Sequence, residues 1–159
     1  MDAQLIAEIK EGNVEHVAEL LEEGANVEAK TKNGKTALCV AISRKHFEIA
    51  KLLISKGAKV NAKCNNGCTA LLYAAHTQNI PFMDDLLAHG ANINESICNE
   101  ETVLHDVIVY GNLDVVKHLM SKGANVNAKD VDGDTPLVWA CMFERADIAE
   151  FLISKGATE

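Results

Sequence analysis

The sequence of 159 residues is poor in aromatic side chains, in proline and in long apolar runs. Only 4% of its residues are Phe, Trp or Tyr although 48% are hydrophobic, so no bulky central core is indicated. No apolar run approaches the roughly 18 to 20 residues that span a bilayer, and the first residues lack the basic leader and apolar stretch of a signal peptide. These absences predict a protein that is not in a membrane and lies in the cytoplasm, with a nuclear location or secretion as an effector left open.

Basic side chains are also fewer than acidic ones. There are 15 Lys and Arg residues against 23 Asp and Glu residues, which gives a formal net charge of -8. Binding to phosphate groups needs clustered Lys and Arg, so neither nucleic acid nor an anionic membrane is predicted as a partner. The five cysteines are an odd number without the spacing of a small disulfide scaffold, which indicates a reducing compartment.

A repeated segment is the main feature that the sequence does contain. Residues 111–129, GNLDVVKHLMSKGANVNAK, predict a helix that begins after Asn112 and ends at Gly123, followed by an extended tail. Similar tails occur at residues 25–30, 58–63 and 91–96. The glycines that end the helices recur at a constant interval of 33 residues: Gly24, Gly57, Gly90, Gly123 and Gly156.

A threonine motif recurs at the same interval, at residues 36–38, 69–71, 102–104 and 135–137. The last copy reads Thr-Pro-Leu, and His105 follows Thr102 at the spacing of a Thr-x-x-His pattern. In both period and motif the chain resembles the ankyrin-repeat family over nearly its whole length. The resemblance implies an all-α fold, an α-solenoid of stacked helix-turn-helix units with β-hairpin fingers. It implies a single domain over residues 1–159, with repeats at about 1–30, 31–63, 64–96, 97–129 and 130–159.

The repeats differ in their turns and helix starts. Three fingers carry Asn-Gly or Asp-Gly, but the fourth has Asn99-Glu100, where a positive φ at Glu100 would be strained and would change the shape of the finger. Asn13, Asn79 and Asn112 are predicted to cap second helices. The fifth repeat ends either as a carboxy-terminal cap or as a cut within a longer array.

The constant register separates core from surface along each first helix. The row predicted to stack between repeats comprises Leu38, Ala41, Ile42, Leu71, Ala74, Ala75, Leu104, Val107, Ile108, Leu137, Ala140 and Cys141. The columns predicted to remain outside include Val40, Ser43 and Arg44 as well as the candidate site. The resemblance implies that these outer columns line a concave groove. The predicted partner-binding residues are Tyr73, His76, Asp106, Tyr110, Trp139, Met142 and Phe143.

Four of the seven aromatic residues lie on this one predicted face, which is typical of a protein interface. Tyr73 and Tyr110 are the stronger candidates because they belong to interior repeats. The alternative role for Trp139 and Phe143 is to seal the last repeat against its own loops. Asp106 is expected either to anchor a basic side chain or backbone donor of the partner, or to be a solvated charge.

Catalytic and metal-binding patterns are weak. Cys64 and Cys68, with Cys98 one repeat later, lack the tight pairing and the four ligands of structural zinc sites, and oxidation to a Cys64–Cys68 disulfide is favoured over a ligand role. No glycine-rich phosphate loop, paired-carboxylate motif or HExxH motif occurs. We therefore predict no enzyme, no catalytic residue, no cofactor and no metal. An enzyme or metal protein using the three cysteines is the alternative from another class.

The sequence thus predicts a noncatalytic, monomeric module that binds a protein or peptide with basic or apolar segments through its groove and fingers. The family resemblance leaves two other interpretations. The first is a regulatory inhibitor that occupies an enzyme such as a kinase, because small ankyrin proteins include kinase inhibitors. The second is an effector or scaffold protein that acts on a host partner.

Overall fold

The computed structural model describes residues 1–159, with ten α-helices, one short 3-10 helix and no sheet. The all-α prediction is confirmed. The chain divides into two compact units, Met1–Ala91 and Asn92–Glu159, and the expectation of one domain over the whole chain stays a prediction. None of the ten α-helices combines the length and the apolar character that a membrane span requires.

The first unit contains three helix pairs. Its helices are α1 (Asp2–Glu11), α2 (Val14–Glu22), α3 (Ala37–Ser43), α4 (Phe47–Ser55), α5 (Ala70–His76) and α6 (Ile80–Ala88). The two helices of each pair pack on each other, and the first helices α1, α3 and α5 pack in succession. The stacking of helix pairs predicted from the 33-residue interval is therefore present in this unit.

The second unit contains two helix pairs preceded by the 3-10 helix Cys98–Glu100. Its α-helices are α7 (Val103–Tyr110), α8 (Leu113–Ser121), α9 (Pro136–Met142) and α10 (Ala146–Ser154). Within this unit α7 packs on α9 and α8 packs on α10, in addition to the contacts inside each pair.

The helix starts follow the sequence, with one exception. The side chains of Asn79 and Asn112 accept hydrogen bonds from the backbone N–H groups of Phe82 and Val115, as predicted. The prediction for Asn13 is wrong, because its side chain makes no capping bond. Its amide donates instead to the carboxylate of Glu8 at 2.5 Å, so an acceptor on the preceding helix draws the side chain away from the cap position.

The loops that join a tail to the next first helix, residues 31–35, 64–68, 97–101 and 130–134, are the fingers. Each is closed by a backbone hydrogen bond between its ends, and the only β-bridge joins Lys30 and Thr36. In the finger 97–101, Asn99 and Glu100 have φ angles of 55° and 59°. The predicted change of shape at Glu100 is confirmed, because two consecutive left-handed residues replace the usual single glycine.

The predicted core row is buried except at its end. Cys141 is exposed, because none of the helices within residues 1–159 covers this position of α9. The placement of Val40 in an outer column is also wrong. Val40 is only 3% exposed, since α3 lies between α1 and α5 and is covered from both sides.

The extended tails carry a ladder of side-chain hydrogen bonds that the sequence analysis did not identify. Asn94 donates through Nδ2 to the carbonyl oxygen of Gly123 at 3.2 Å, and its Oδ1 accepts from the N–H of Asn125 at 2.8 Å. One repeat later, the Oδ1 of Asn127 accepts from the N–H of Thr158 at 2.8 Å. These bonds tie each tail to the helix end of the following repeat, which leaves the second unit cross-linked along its tails as well as through its helices.

We expect N94A to lower the free energy of unfolding by about 1 to 2 kcal/mol, because two backbone groups lose their partner. N94D is the matched variant: it keeps the acceptor for Asn125 but removes the donor to Gly123, so its loss should be smaller. Urea denaturation followed by circular dichroism measures both. Equal stability of N94A and the wild type would contradict a structural role for the ladder.

Candidate protein-binding surface

The orientation of α7 is set by Thr102 and His105 at its first turn. The N–H of Thr102 donates to Nδ1 of His105 at 3.1 Å, which leaves the proton of the neutral imidazole on Nε2. Nε2 lies 3.3 Å from the carbonyl oxygen of Asp134 and donates to it. His105 is fully buried, so the same ring caps α7 and ties the finger 130–134 to it.

A surface defined by Asp106, Tyr110, Trp139, Met142 and Phe143 lies along these helices and is called the α7–α9 face. Trp139 and Phe143 occupy the positions of Asp106 and Tyr110 one repeat later, and α7 packs directly on α9. Tyr110 is 65% exposed, Met142 56% and Phe143 41%, whereas Asp106 and Trp139 are half-buried. Four of the five predicted residues of this unit therefore lie on the neighbouring helices α7 and α9, and Phe143 directly follows α9.

Trp139 is held in place by contacts on three sides. Its Nε1 donates to Oδ2 of Asp130 at 2.8 Å. Its ring lies 5.4 Å from that of His105, edge to face, and 5.8 Å from that of Phe143. Part of the indole thus serves the packing of the last repeat, which was the alternative role considered for it, while its remaining edge is accessible on the α7–α9 face.

Asp130 is the anchor of this arrangement. Its Oδ1 accepts from the N–H groups of Asp132 at 3.0 Å and Asp134 at 2.9 Å, which closes the finger 130–134. Burial opposes ionisation, but the hydrogen bonds from Trp139 and the two backbone groups outweigh it, so the pKa of Asp130 is lowered. Asp130 is thus an ionised carboxylate that orients both the finger and the indole.

Negative charge is concentrated beside the α7–α9 face. Burial raises the pKa of Glu101, and the negative charges of Asp106 and Asp130 raise it further, against a hydrogen bond from Asn99. Over residues 92–159 there are 12 Asp and Glu against 5 Lys and Arg, whereas residues 1–91 carry 11 against 10. Seven of the eight net negative charges therefore belong to the second unit.

The two predicted site residues of the first unit, Tyr73 and His76, are on α5. Tyr73 is half-buried, and its hydroxyl hydrogen-bonds the side chain of Asn66. Lys35 Nζ lies 4.2 Å from the centre of the tyrosine ring, in a cation–π contact. Burial raises the pKa of Tyr73 to about 12. The exposed His76 ring lies 6.5 Å from that of Tyr73, so the two form one patch on this unit.

Comparison with known protein families agrees with this arrangement. The family model described as "Ankyrin repeats (3 copies)" matches residues 5–97 and 85–158. This chain belongs to the ankyrin-repeat family. No curated protein matches the chain.

Ankyrin repeats are generally protein–protein interaction modules and are typically noncatalytic. In this ankyrin-repeat protein no group of three or more His, Cys, Asp and Glu side chains is arranged to hold a metal ion. A surface depression of about 570 Å³ is lined mainly by the tail residues 58–62. The ring beside it, His89, has its Nδ1 2.7 Å from the carbonyl oxygen of Asp85.

Sequence reasoning missed Asp130 at this ankyrin surface. A signal for Asp130 was present, because the pattern Asp130-Val-Asp-Gly-Asp134 is typical of a turn closed by an aspartate side chain. Nothing in the repeat pattern indicated that the second oxygen of Asp130 would accept from Trp139. The position of Glu101 follows from the altered fourth finger, whose backbone could not be derived from the other repeats.

The burial of His105 predicts a pH dependence of stability. Burial lowers the pKa of His105 in the folded state, against the opposing effect of Asp130 and Asp134. The unfolded chain therefore binds the proton first as the pH falls below about 6.5, and the free energy of unfolding decreases from there to the lowered pKa. The variant H105Q keeps a residue suited to the capping box but does not titrate in this range. We therefore expect its free energy of unfolding to decrease less than that of the wild type as the pH falls.

Urea denaturation of both proteins between about pH 7.5 and pH 5 measures the effect, since the difference between the two profiles cancels the other histidines. Parallel profiles would contradict the burial of a neutral imidazole at this position.

Proposed function

We propose that this protein is a noncatalytic binding module whose α7–α9 face takes a protein or peptide segment with a positively charged residue beside an apolar one. The observation that carries the proposal is the exposure of Tyr110, Met142 and Phe143 next to the carboxylate of Asp106. Family membership supports the general role, because ankyrin repeats bind protein partners.

The α7–α9 face leaves several large hydrophobic side chains exposed to water. Tyr110, Met142 and Phe143 are three of the six large apolar residues that remain exposed in the whole chain. Aromatic and methionine side chains of this kind supply much of the binding energy at protein interfaces. Trp139 adds an indole edge that is already fixed by Asp130, so a partner would not have to order it.

The negative charge beside the α7–α9 face favours a basic partner. The charges of Asp106 and Asp130 already raise the pKa of Glu101, which means that these carboxylates repel one another. A Lys or Arg side chain placed among them would relieve that repulsion and would be steered by the net negative charge of the unit. The same charge works against nucleic acid and anionic membranes, so neither is proposed as a partner.

We propose that Tyr73 and His76 contact a partner that binds to the surface of the first unit. Their contribution should be smaller, because Tyr73 is half-buried and already engaged by Asn66 and Lys35. We propose that the protein acts in the cytoplasm as a monomer, without a cofactor.

Selection of random displayed peptides on the immobilised full chain tests the binding proposal. We expect enriched sequences to carry Lys or Arg next to aromatic or aliphatic residues. The double variant Y110A/M142A should weaken the best peptide by about tenfold or more, because two exposed contacts of about 1 kcal/mol each are removed. Fluorescence anisotropy measures the affinities, and raising the salt from about 50 to about 500 mM should weaken binding of the wild type.

The matched control is I153A, which removes a side chain that is 59% exposed on α10 of the same unit. It should leave the affinity unchanged. Peptides that bind Y110A/M142A as tightly as the wild type, or that carry no basic residue and are insensitive to salt, would refute the proposed site.

A further inference from the structure

A groove of about 400 Å³ lies in the first unit between α1 and the finger 31–35, and it is called the α1 groove. One side is lined by Ala3, Ile6 and Lys10, which lie along a single face of α1, and the other side by residues 30–33. Three of the residues that line the groove are lysines and none is acidic. The groove is therefore positively charged although the whole chain has a formal net charge of -8.

The chain itself does not neutralise these lysines. Lys10, Lys30 and Lys32 are all exposed, and none of them takes part in an ion pair of the structure. Lys30 is held at the edge of the groove, because its Nζ donates to the carbonyl oxygen of Lys63 at 3.1 Å. The ammonium groups thus lack a carboxylate partner within the chain, and a partner molecule can supply one.

An acidic residue does lie beside the groove, but its carboxylate is engaged elsewhere. Asp2 directly precedes Ala3 on α1 and does not line the groove. Its Oδ1 accepts a hydrogen bond from the N–H of Asn26 at 3.1 Å. The carboxylate therefore belongs to the contact between α1 and the first tail.

The second repeat uses the equivalent positions differently. Lys35 and Ser43 stand 33 residues after Asp2 and Lys10, and Lys35 Nζ donates to Ser43 Oγ at 3.3 Å. The same ammonium group lies 4.2 Å from the centre of the Tyr73 ring. In the second repeat a lysine of the chain thus extends along the first helix and finds its partners there, whereas the lysines of the α1 groove stay available.

The finger that forms one wall of the groove is held in a fixed conformation. The N–H of Thr31 donates to the carbonyl oxygen of Lys35 at 2.9 Å, and Thr31 Oγ1 accepts from the N–H of Lys35 at 3.1 Å. On the side away from α1, the N–H of Asn65 donates to the carbonyl oxygen of Gly34 at 3.2 Å, which joins this finger to the next one. A partner would therefore meet a wall that is already ordered before binding.

We propose that the α1 groove binds an acidic segment of another protein, with its carboxylates at Lys10, Lys30 and Lys32 and an aliphatic side chain over Ala3 and Ile6. This inference concerns the first unit and is independent of the binding proposed for the α7–α9 face.

The surroundings of the groove favour an acidic peptide over other anionic partners. A nucleic acid extends well beyond a groove of this size, and its phosphates would be repelled by the net negative charge of the chain. Two copies of the chain repel each other for the same reason. A short segment that carries Asp or Glu next to an aliphatic residue matches both the lysines and the apolar surface of Ala3 and Ile6.

Fluorescence anisotropy of the full chain with a labelled short peptide in which Glu alternates with Val tests the α1 groove. We expect binding at about 50 mM salt that is lost when Gln replaces Glu in the peptide. The variant K10Q/K32Q should bind the peptide about fivefold or more weakly, because two exposed charges lose their partners. A3E keeps every lysine but adds a carboxylate to the groove, so it should weaken binding too, and an acidic residue suits the first turn of α1.

The matched control is K45Q/K59Q, which removes the same charge from two exposed lysines of the first unit that do not line the groove. This control and Y110A/M142A should bind the peptide as the wild type does. Absence of binding by the wild type, or equal losses in K10Q/K32Q and K45Q/K59Q, would overturn the proposal.

Two further measurements identify the occupant of the groove. Oligothymidylate should bind more weakly than the Glu-containing peptide, and tighter binding that K10Q/K32Q abolishes would assign the groove to nucleic acid instead. Sedimentation of the wild type should show a monomer. A dimer that K10Q/K32Q dissociates would assign the groove to a second copy of the chain and would overturn the proposal.

Discussion

Close packing of small apolar side chains between successive first helices is the constraint on which both units depend. Ala41 and Ala74 on α3 and α5, and Ala140 on α9, have no exposed surface. Side chains of this size let helices approach closely, so each layer is covered by the next with few large residues. The constant 33-residue interval serves this packing, because it returns the same apolar position to each contact between first helices.

This packing determines where aromatic residues can be accommodated. One pair, Phe47 and Phe82, fits beside the layers with ring centres 5.0 Å apart, and Phe82 is 2% exposed. Trp139 instead needs a hydrogen-bond partner for its indole N–H, and Asp130 supplies one at the edge of the last repeat. Four of the remaining rings, those of Tyr73, Tyr110, Trp139 and Phe143, lie on or directly after first helices, where they either brace loops or remain in water.

The register made the helices and most of the core predictable, because each repeat confirms the reading of the others. The failures have local causes: Glu8 attracts the side chain of Asn13, and no helix within residues 1–159 covers Cys141 on α9. The altered finger at Glu100 was predictable, since a missing glycine at a position of positive φ has a known backbone consequence.

The acidity of the second unit has a physical reason beyond attraction of a partner. Exposed Tyr110, Met142 and Phe143 form a surface that would favour association of the protein with itself. Identical acidic faces repel one another, so the net charge of residues 92–159 opposes that association while attracting segments of opposite charge. A basic partner overcomes the repulsion and a second copy does not, which makes the charge a means of discrimination as well as of attraction.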